Sequence, residues 1–305
     1  MGEGAGGPFR RWRQLRPRDA DGAVSASLLA GRGARARAIP GFRTTLAVTL
    51  LWLGVIVLIP LAALALRPLE LGPAGLIASL SEERVVAALG LSFGAALLAA
   101  LLNLPLGLLL AWAVVRLRFP GRGILDAALD LPFALPTAVA GIALTAIAAP
   151  NGWVGAPLAD LFGWKIAFTR AGVVLALMFV SLPFIVRTVE PVLRDMAAEA
   201  EEAAATLGAT RAQTVLRVVL PGLLPALLTG FSLAFARSVG EYGSVIFIAG
   251  NLPMLTEIAP LLIVIRLEQY DYAGAAAVGL AMLVLSFLLL LAIELVQRRL
   301  RRGRR

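Results

Sequence analysis

Long apolar runs without a charged residue dominate the pattern of hydrophobic and polar positions along the chain. Residues 44–66 carry no charge over 23 positions, and residues 85–115 carry none over 31 positions. At 1.5 Å per residue, the shorter run reaches about 34 Å as a helix, which is enough to cross the apolar core of a bilayer. The pattern predicts an all-α integral membrane protein with six transmembrane helices. We place these helices at 44–66, 85–115, 125–149, 171–187, 223–249 and 273–293.

The segments outside these helices differ in length and polarity. Residues 258–265 are apolar but too short to cross a bilayer, which predicts a re-entrant or interfacial helix. Residues 1–43 are rich in Gly, Ala and Arg and have no sustained apolar period. We therefore expect a disordered basic tail there, or a misassigned start codon. A second basic tail is expected at 298–305, which leaves 44–297 as the transmembrane domain.

Basic residues are distributed unequally between the two sides of the predicted bundle. The side that holds both termini carries 22 Lys and Arg residues, whereas the three opposite loops carry 5. Because cytoplasmic loops are enriched in Lys and Arg, we expect both termini to be cytoplasmic. Residues 67–84, 150–170 and 251–272 are then expected on the opposite side of the membrane. The polar segment 187–222 is expected to be accessible to a cytoplasmic protein.

The composition excludes a soluble enzyme and most hydrolytic chemistry. Hydrophobic residues make up 59% of the chain and charged residues 15%, which leaves too little polar surface for a water-soluble globule. The absence of Cys and His excludes disulfides, zinc-finger sites, thiol nucleophiles and Ser-His-Asp triads. The single lysine, Lys165, follows Trp164 rather than a glycine turn, so the chain has no P-loop and is not expected to hydrolyse ATP. The net charge of +9 comes from arginines that flank the spans, which favours contact with membrane lipid over nucleic acid.

The cytoplasmic segment has the pattern of two short helices. Its acidic residues come first and its basic residues last, an order that suits the helix macrodipole: Glu199, Glu201, Glu202, Arg211 and Arg217. Gly208 interrupts the helical stretch, and the small side chains of Ala203 and Ala204 allow a partner surface to approach closely. A docking surface for a cytoplasmic protein and a linker that lies on the membrane surface fit this pattern equally well.

The same segment resembles the EAA loop of ABC importer permeases. The matching residues are Glu202, Ala203, Ala204, Gly208, Val218, Leu220 and Pro221. They lie within residues 199–221, which we call the coupling segment. Val218 stands where the family usually has isoleucine. The resemblance implies a type I importer permease fold whose cytoplasmic helices dock into a groove on an ATPase subunit. It also implies that this chain has no catalytic residue, metal or cofactor of its own, because the partner ATPase binds ATP and Mg.

Further motifs resemble the sulfate and molybdate branch of these permeases. They lie at 135–141, 237–244 and 247–251. Thr256, Glu257 and the run 266–272 are similar to the T-subunit permeases of bacterial sulfate/thiosulfate importers, and the likeness extends from about residue 46 to residue 299. This resemblance implies a multi-pass subunit of the bacterial inner membrane. It further implies partnership with a second, W-type permease, two ATPase subunits and a periplasmic sulfate-binding protein.

Two opposite charges lie inside the predicted fifth span. Arg237 and Glu241 are four residues apart, a spacing that places them on one face of a helix and lets them pair. A charge inside the bilayer costs about 2.5–3.5 kcal/mol on insertion scales. In one interpretation Arg237 donates to a passing dianion, and in the other the two residues form a neutral structural pair. We favour the structural pair, because a fixed unpaired arginine would trap an anion rather than release it.

Neutral side chains in the spans could also donate hydrogen bonds to an anion. These candidates are Ser181, Ser238, Ser244, Thr137 and Thr145. In membrane helices, however, such side chains more often bond to a carbonyl of their own or a neighbouring helix.

The function predicted from the sequence is that of a transmembrane permease subunit of an ATP-driven sulfate/thiosulfate importer. A molybdate or tungstate importer is an alternative, because these anions share charge and shape. A stand-alone secondary anion transporter is another, although the inverted repeats that would favour it are not evident. An intramembrane enzyme is disfavoured because the acidic residues Asp126, Asp130, Glu190 and Glu241 are scattered along the sequence.

Overall fold

The computed structural model describes residues 42–196 and 198–302, and every regular element in these ranges is helical. The α-helices are α1 (Phe42–Leu53), α2 (Ile59–Leu66), α3 (Gly72–Ser81), α4 (Glu83–Arg116), α5 (Arg122–Leu129), α6 (Leu131–Ala134), α7 (Thr137–Ala148), α8 (Gly155–Phe162), α9 (Arg170–Asp195), α10 (Ala198–Thr206), α11 (Arg211–Thr214), α12 (Leu220–Val239), α13 (Val245–Ile248), α14 (Ala259–Glu268) and α15 (Tyr272–Arg302). Gly54–Leu58 and Val215–Val219 are π-helical, and Arg67–Leu71 is a 3₁₀ helix. The predicted all-α fold class is confirmed.

The chain divides into two compact units between Pro60 and Leu61. In the first unit, α1 has no buried residue, and its apolar side chains, including Trp52, are exposed. An apolar surface of this kind is one that lipid or another protein covers. Of the predicted tail 1–43, only Phe42 and Arg43 lie within the described residues, and both belong to α1. At the other end, α15 continues past residue 297, where the sequence predicted the second tail to begin.

Five helical stretches of the described residues are long and apolar enough to cross a membrane, one fewer than the sequence predicted. They are Phe42–Ser81, Glu83–Arg116, Arg170–Asp195, Arg211–Val239 and Tyr272–Arg299. The predicted third span, 125–149, is instead divided into α5, α6 and α7. Pro136 explains the last break, because the residue before a proline is driven out of the helical region and Leu135 is extended. α7 has 12 residues and reaches about 18 Å, less than the bilayer core.

The predicted fifth span, 223–249, is also broken. α12 ends at Val239, and a turn through Gly240 leads to the four-residue helix α13. The prediction of one continuous helix was therefore wrong for both the third and the fifth spans. The apolar patch at 258–265 does form a short helix, α14, of ten residues.

α9 packs against both α4 and α12 in the second unit. A Cβ atom at Gly107 of α4 would lie 2.7 Å from Cγ2 of Ile185, and one at Gly230 of α12 would lie 3.0 Å from its Cα atom. Ile185 is fully buried. It therefore occupies space that is free only because residues 107 and 230 of the two neighbouring helices are glycines.

A buried polar contact joins α4 to α9 near the middle of both helices. Asn103 Nδ2 donates to the carbonyl oxygen of Met178 at 2.9 Å and to Oγ of Ser181 at 3.0 Å. Ser181 Oγ donates in turn to the carbonyl oxygen of Leu177 at 2.6 Å. Because an unpaired amide in apolar surroundings is costly, these bonds favour one register of the two helices.

Candidate functional site

The segment between α9 and α12 consists of two short helices separated by a left-handed glycine. α10 ends at Thr206, and Gly208 has a φ angle of +80°, which glycine adopts without steric strain. Thr210 then caps α11: its Oγ1 accepts the backbone N–H of Gln213 at 3.3 Å. Gln213 Oε1 accepts the N–H of Thr210 at 2.8 Å. This capping box defines where the second helix begins.

The predicted coupling residues occupy the accessible part of this segment and its junction with α12. Glu202, Ala203 and Gly208 are exposed, and Ala204, Val218, Leu220 and Pro221 are half-buried. Leu207, beside the glycine, is 88% exposed. An exposed leucine next to small residues gives a partner both an apolar contact and room for close approach.

An ion pair ties this segment to the end of α4. Arg116 is the last residue of α4, and its Nη2 donates to Oε1 of Glu201 at 2.6 Å. About a quarter of each side chain is exposed. Arg116 Nε is buried and has no hydrogen-bond partner among the described residues. The ion pair thus connects α10 to the end of α4.

A second arginine, Arg187, collects the acidic residues that the sequence scatters. Its Nη1 donates to Asp126 at 2.7 Å and to Glu190 at 2.6 Å, and its Nη2 donates to Asp130 at 2.7 Å. Arg194 also pairs with Glu190. This cluster joins α5 to α9, and only the helical spacings of Glu190 from Arg187 (i,i+3) and from Arg194 (i,i+4) are visible in the sequence. Within residues 42–196 and 198–302, no group of acidic side chains is arranged to hold a metal ion.

A third ion-pair cluster lies at the opposite end of α4, and neither hydropathy nor spacing along the chain predicts it. Arg84 donates to Glu257 through Nε at 2.8 Å and through Nη2 at 2.7 Å. The Glu257 side chain is only 1% exposed. Arg266 of α14 pairs with Glu82 and donates to Oγ of Ser79 at 2.8 Å. These contacts attach α3, α4 and the loop before α14 to one another.

Arg237 and Glu241 form an ion pair at the break that follows α12. Arg237 Nη1 donates to Oε2 of Glu241 at 2.6 Å. Glu241 lies beyond the helix, and its Oε1 accepts the backbone N–H of Ser244 at 2.8 Å and the hydroxyl of Ser244 at 2.9 Å. The pair therefore stabilises the turn through Gly240 rather than one face of a continuous helix.

Two of the motifs noted in the sequence contact each other at this break. A Cβ atom at Gly243 would lie 2.2 Å from Oγ1 of Thr137, and one at Gly141 would lie 2.4 Å from the carbonyl oxygen of Ser244. The start of α7 thus packs directly on the turn after α12. Broken helices of this kind are tolerated in membrane proteins where they are buried or line a cavity.

The remaining hydroxyl candidates bond mainly within the chain. Ser181 and Thr145 donate to carbonyl oxygens of their own helices, and Ser244 donates to Glu241. Ser238 Oγ is buried and has no hydrogen-bond partner within the described part of the chain. Thr137 lies against Gly243.

The broken spans, the exposed coupling segment and the apolar helices together match a known class of membrane protein. The sequence profile of the family described as binding-protein-dependent transport system inner membrane component matches residues 103–302, and the chain belongs to that family. The chain is a permease subunit of an ABC transporter of the multi-pass inner-membrane type.

Similar proteins of known name cover most of the chain. The sulfate transport system permease protein CysT of Salmonella typhimurium is 47% identical over 269 residues, which is 88% of this chain and 96% of that protein. The protein of the same name from Escherichia coli is 46% identical over the same shares of both chains. CysT of Synechocystis is 49% identical over 82% of this chain and 87% of that protein. The resemblance to T-subunit permeases inferred from the sequence is confirmed.

Solved structures share the fold. The bacterial ABC transporter involved in import of the acidic polysaccharide alginate matches with a TM-score of 0.70 at 17% identity, over 84% of this chain and 94% of that one. The alginate ABC transporter in complex with alginate pentasaccharide-bound periplasmic protein matches with a TM-score of 0.70 at 18% identity, over 92% and 98% of the two chains. The predicted type I importer permease fold is confirmed, with five long spans rather than six.

Proposed function

We propose that this chain is the T-type permease subunit of an ATP-driven sulfate/thiosulfate importer. The observation that carries the proposal is the 47% identity to a sulfate permease over 96% of that protein's length. The motifs that meet at the break after α12 add support, because the start of α7 and the turn at Ser244 are in direct contact.

The proposed assembly contains a second, W-type permease, two ATPase subunits that bind ATP and Mg, and a periplasmic sulfate-binding protein. The exposed surface around Leu207 and Gly208 offers the docking site for an ATPase subunit. The unpartnered apolar surface of α1 suits lipid or the second permease. Both termini lie in the cytoplasm in this arrangement, since the side that holds them carries 22 of the 28 basic residues.

Coupling in this proposal is mechanical. Closure of the ATPase subunits moves α10, and the Arg116–Glu201 pair passes that movement to the end of α4. Arg187 holds α5 to α9, so that the start of the broken third span moves with the bundle. ATP hydrolysis shifts the equilibrium between outward- and inward-facing conformations only if the ATPase subunits dock differently in the two.

Reconstitution tests this function directly. The chain is assembled with the W-type permease and the ATPase in vesicles, and uptake of radiolabelled sulfate is measured with ATP and loaded binding protein. We expect uptake that requires both additions and is inhibited by excess thiosulfate. Uptake without ATP would indicate a secondary transporter, and uptake of molybdate in preference to sulfate would indicate the alternative substrate.

A further inference from the structure

Arg237 lies on a face of α12 that the rest of the chain leaves uncovered. Its side chain is 33% exposed. Leu233, one turn earlier, is 46% exposed, and Ala236 and Gly240 on the same side are also exposed. A charged residue inside a span is costly against lipid and almost always faces protein or a water-filled cavity. In the proposed assembly this face of α12 is therefore expected to meet protein or a water-filled cavity rather than lipid.

Among the described residues, Arg237 donates from only one of its three guanidinium nitrogens. Its Nη1 donates to Glu241, whereas Nε and Nη2 have no hydrogen-bond partner among the described residues. Arg84 and Arg187 differ in this respect. Arg84 donates from two nitrogens, Nε and Nη2, to Glu257, and Arg187 donates from all three nitrogens to Asp126, Asp130 and Glu190. Arg237 therefore has more guanidinium nitrogens without a partner than either of them.

Glu241, in contrast, accepts hydrogen bonds with both of its carboxylate oxygens. It is 3% exposed, and its two oxygens accept from Arg237 and from the backbone and hydroxyl of Ser244. The carboxylate cannot turn away from Arg237 without losing these bonds. It is a fixed counter-charge beside an arginine that still has two donor nitrogens available.

We propose that Arg237 is a direct contact for the transported tetrahedral dianion, which it binds through Nε and Nη2 while Nη1 stays on Glu241. The inference rests on the proposed function and adds a pathway residue to it. The edge of a guanidinium formed by Nε and Nη2 matches two oxygens of a tetrahedral oxyanion. Glu241 cancels most of the positive charge, so the anion is oriented but held weakly enough to leave.

In this arrangement both interpretations of the Arg237–Glu241 pair hold. The pair is structural, because it stabilises the turn after α12, and the same pair also presents donors to an anion. Weak binding is a requirement for transport, since an anion that binds tightly inside the pathway blocks it.

The test uses Arg237→Lys in the assembly with its permease and ATPase partners. Lysine can still pair with Glu241 but lacks the planar edge that Nε and Nη2 provide. We expect unchanged thermal stability, with sulfate uptake per ATP reduced about tenfold. Arg298→Lys is the matched control, because Arg298 pairs with Glu294 at the same spacing on an exposed surface. It should have no effect.

A second variant tests the counter-charge. Glu241→Gln leaves Arg237 positive, so sodium sulfate, compared with sodium chloride at equal ionic strength, should raise the melting temperature of the assembly without binding protein. The wild type should show a smaller shift, because Glu241 weakens the binding, and the double variant Arg237→Gln/Glu241→Gln should show none. Wild-type uptake by Arg237→Lys with unchanged melting temperature overturns the inference, whether or not Glu241→Gln assembles. Failure of the wild type to take up sulfate overturns the proposed function instead.

Discussion

Glu201 of the coupling segment accepts a hydrogen bond from Arg116, the last residue of α4, with 2.6 Å between Oε1 and Nη2. This contact joins the segment that we propose docks an ATPase subunit to one of the longest helices of the bundle. About a quarter of each side chain is exposed, so removing one partner leaves the other charge largely buried and should cost part of the about 3–5 kcal/mol typical of a fully buried pair. The two residues lie 85 positions apart along the chain, so the pair is a tertiary contact between the two elements.

We expect Arg116→Gln to weaken the coupling between ATP hydrolysis and transport. The variant should lose part of that stability but still insert, and it should hydrolyse more ATP per sulfate transported. Uptake and ATPase rates measured on the same vesicles give this ratio. Arg67→Gln, which breaks an exposed pair with Glu70, is the control. Equal ratios in the two variants would show that the contact does not transmit movement.

Substitutions within the coupling segment should separate insertion from coupling more sharply. Gly208→Asp places a side chain at a φ angle of +80°, and Glu202→Arg reverses a charge on the exposed first helix. We expect both variants to reach the membrane at normal abundance and to lose ATP-driven uptake. Gly163 also has a positive φ angle and open space around it, so Gly163→Asp controls for backbone strain alone. Normal sulfate uptake by either coupling variant would mean that the segment is only a linker.

The Arg237–Glu241 pair should behave as a unit in stability measurements. Removing either partner leaves the other charge uncompensated, whereas Arg237→Gln with Glu241→Gln removes both charges. We expect each single variant to lose part of the about 3–5 kcal/mol typical of a fully buried pair, because one third of Arg237 is exposed. The double variant should recover much of that loss. A double-mutant cycle on thermal unfolding measures the coupling, and additive losses would contradict it.

The orientation of the bundle can be read from two exposed side chains. Trp153 is 92% exposed and Leu207 is 88% exposed, and the proposed topology places them on opposite sides of the membrane. Because the chain has no cysteine, Trp153→Cys and Leu207→Cys each introduce a unique label site. We expect an impermeant thiol reagent to reach residue 153 in cells whose inner membrane is intact and residue 207 only after permeabilisation. The opposite result would invert the topology.

The glycine notches around Ile185 predict a steric effect. Gly107→Ala places a methyl group 2.7 Å from Cγ2 of Ile185, and overpacking of this kind typically costs about 1–3 kcal/mol. Gly90→Ala on the same helix meets nothing within 4 Å and should be neutral or slightly stabilising. Thermal unfolding in detergent distinguishes them. A smaller loss from Gly107→Ala in the Ile185→Ala background than in the wild type would identify the clash as the cause.

The sequence predicted best the elements whose evidence is local. The charge-free run at 85–115 became α4, because length and apolarity alone determine whether a helix crosses a membrane. The turn at Gly208 followed from a glycine between two helical stretches. The sequence could not predict that Asp126 and Asp130 meet Arg187, since 61 and 57 positions separate them from it along the chain. Such contacts depend on tertiary packing.

The two broken spans were missed for a related reason. Apolar composition indicates membrane depth, and it does not indicate whether the backbone stays helical there. In 125–149 the break at Leu135 is caused by Pro136, and hydropathy takes no account of the effect of a proline on the backbone. After α12 the break is stabilised by the hydrogen bonds that Ser244 donates to Glu241. In the sequence, the spacing of Glu241 from Arg237 indicated only an ion pair on one helix.

Ile185 also limits how this protein can change shape. If α9 slid by one turn along α4, Ile185 would leave Gly107 and meet Asn103 or Ala111, each of which carries a Cβ atom. On α12 it would meet Ala226 or Ala234 in place of Gly230. Sliding by one turn is therefore disfavoured on both sides, because each of these Cβ atoms would crowd Ile185. In the proposed importer, we expect a change between outward- and inward-open states to come from bending at the interrupted segments and from the contact with the proposed second permease.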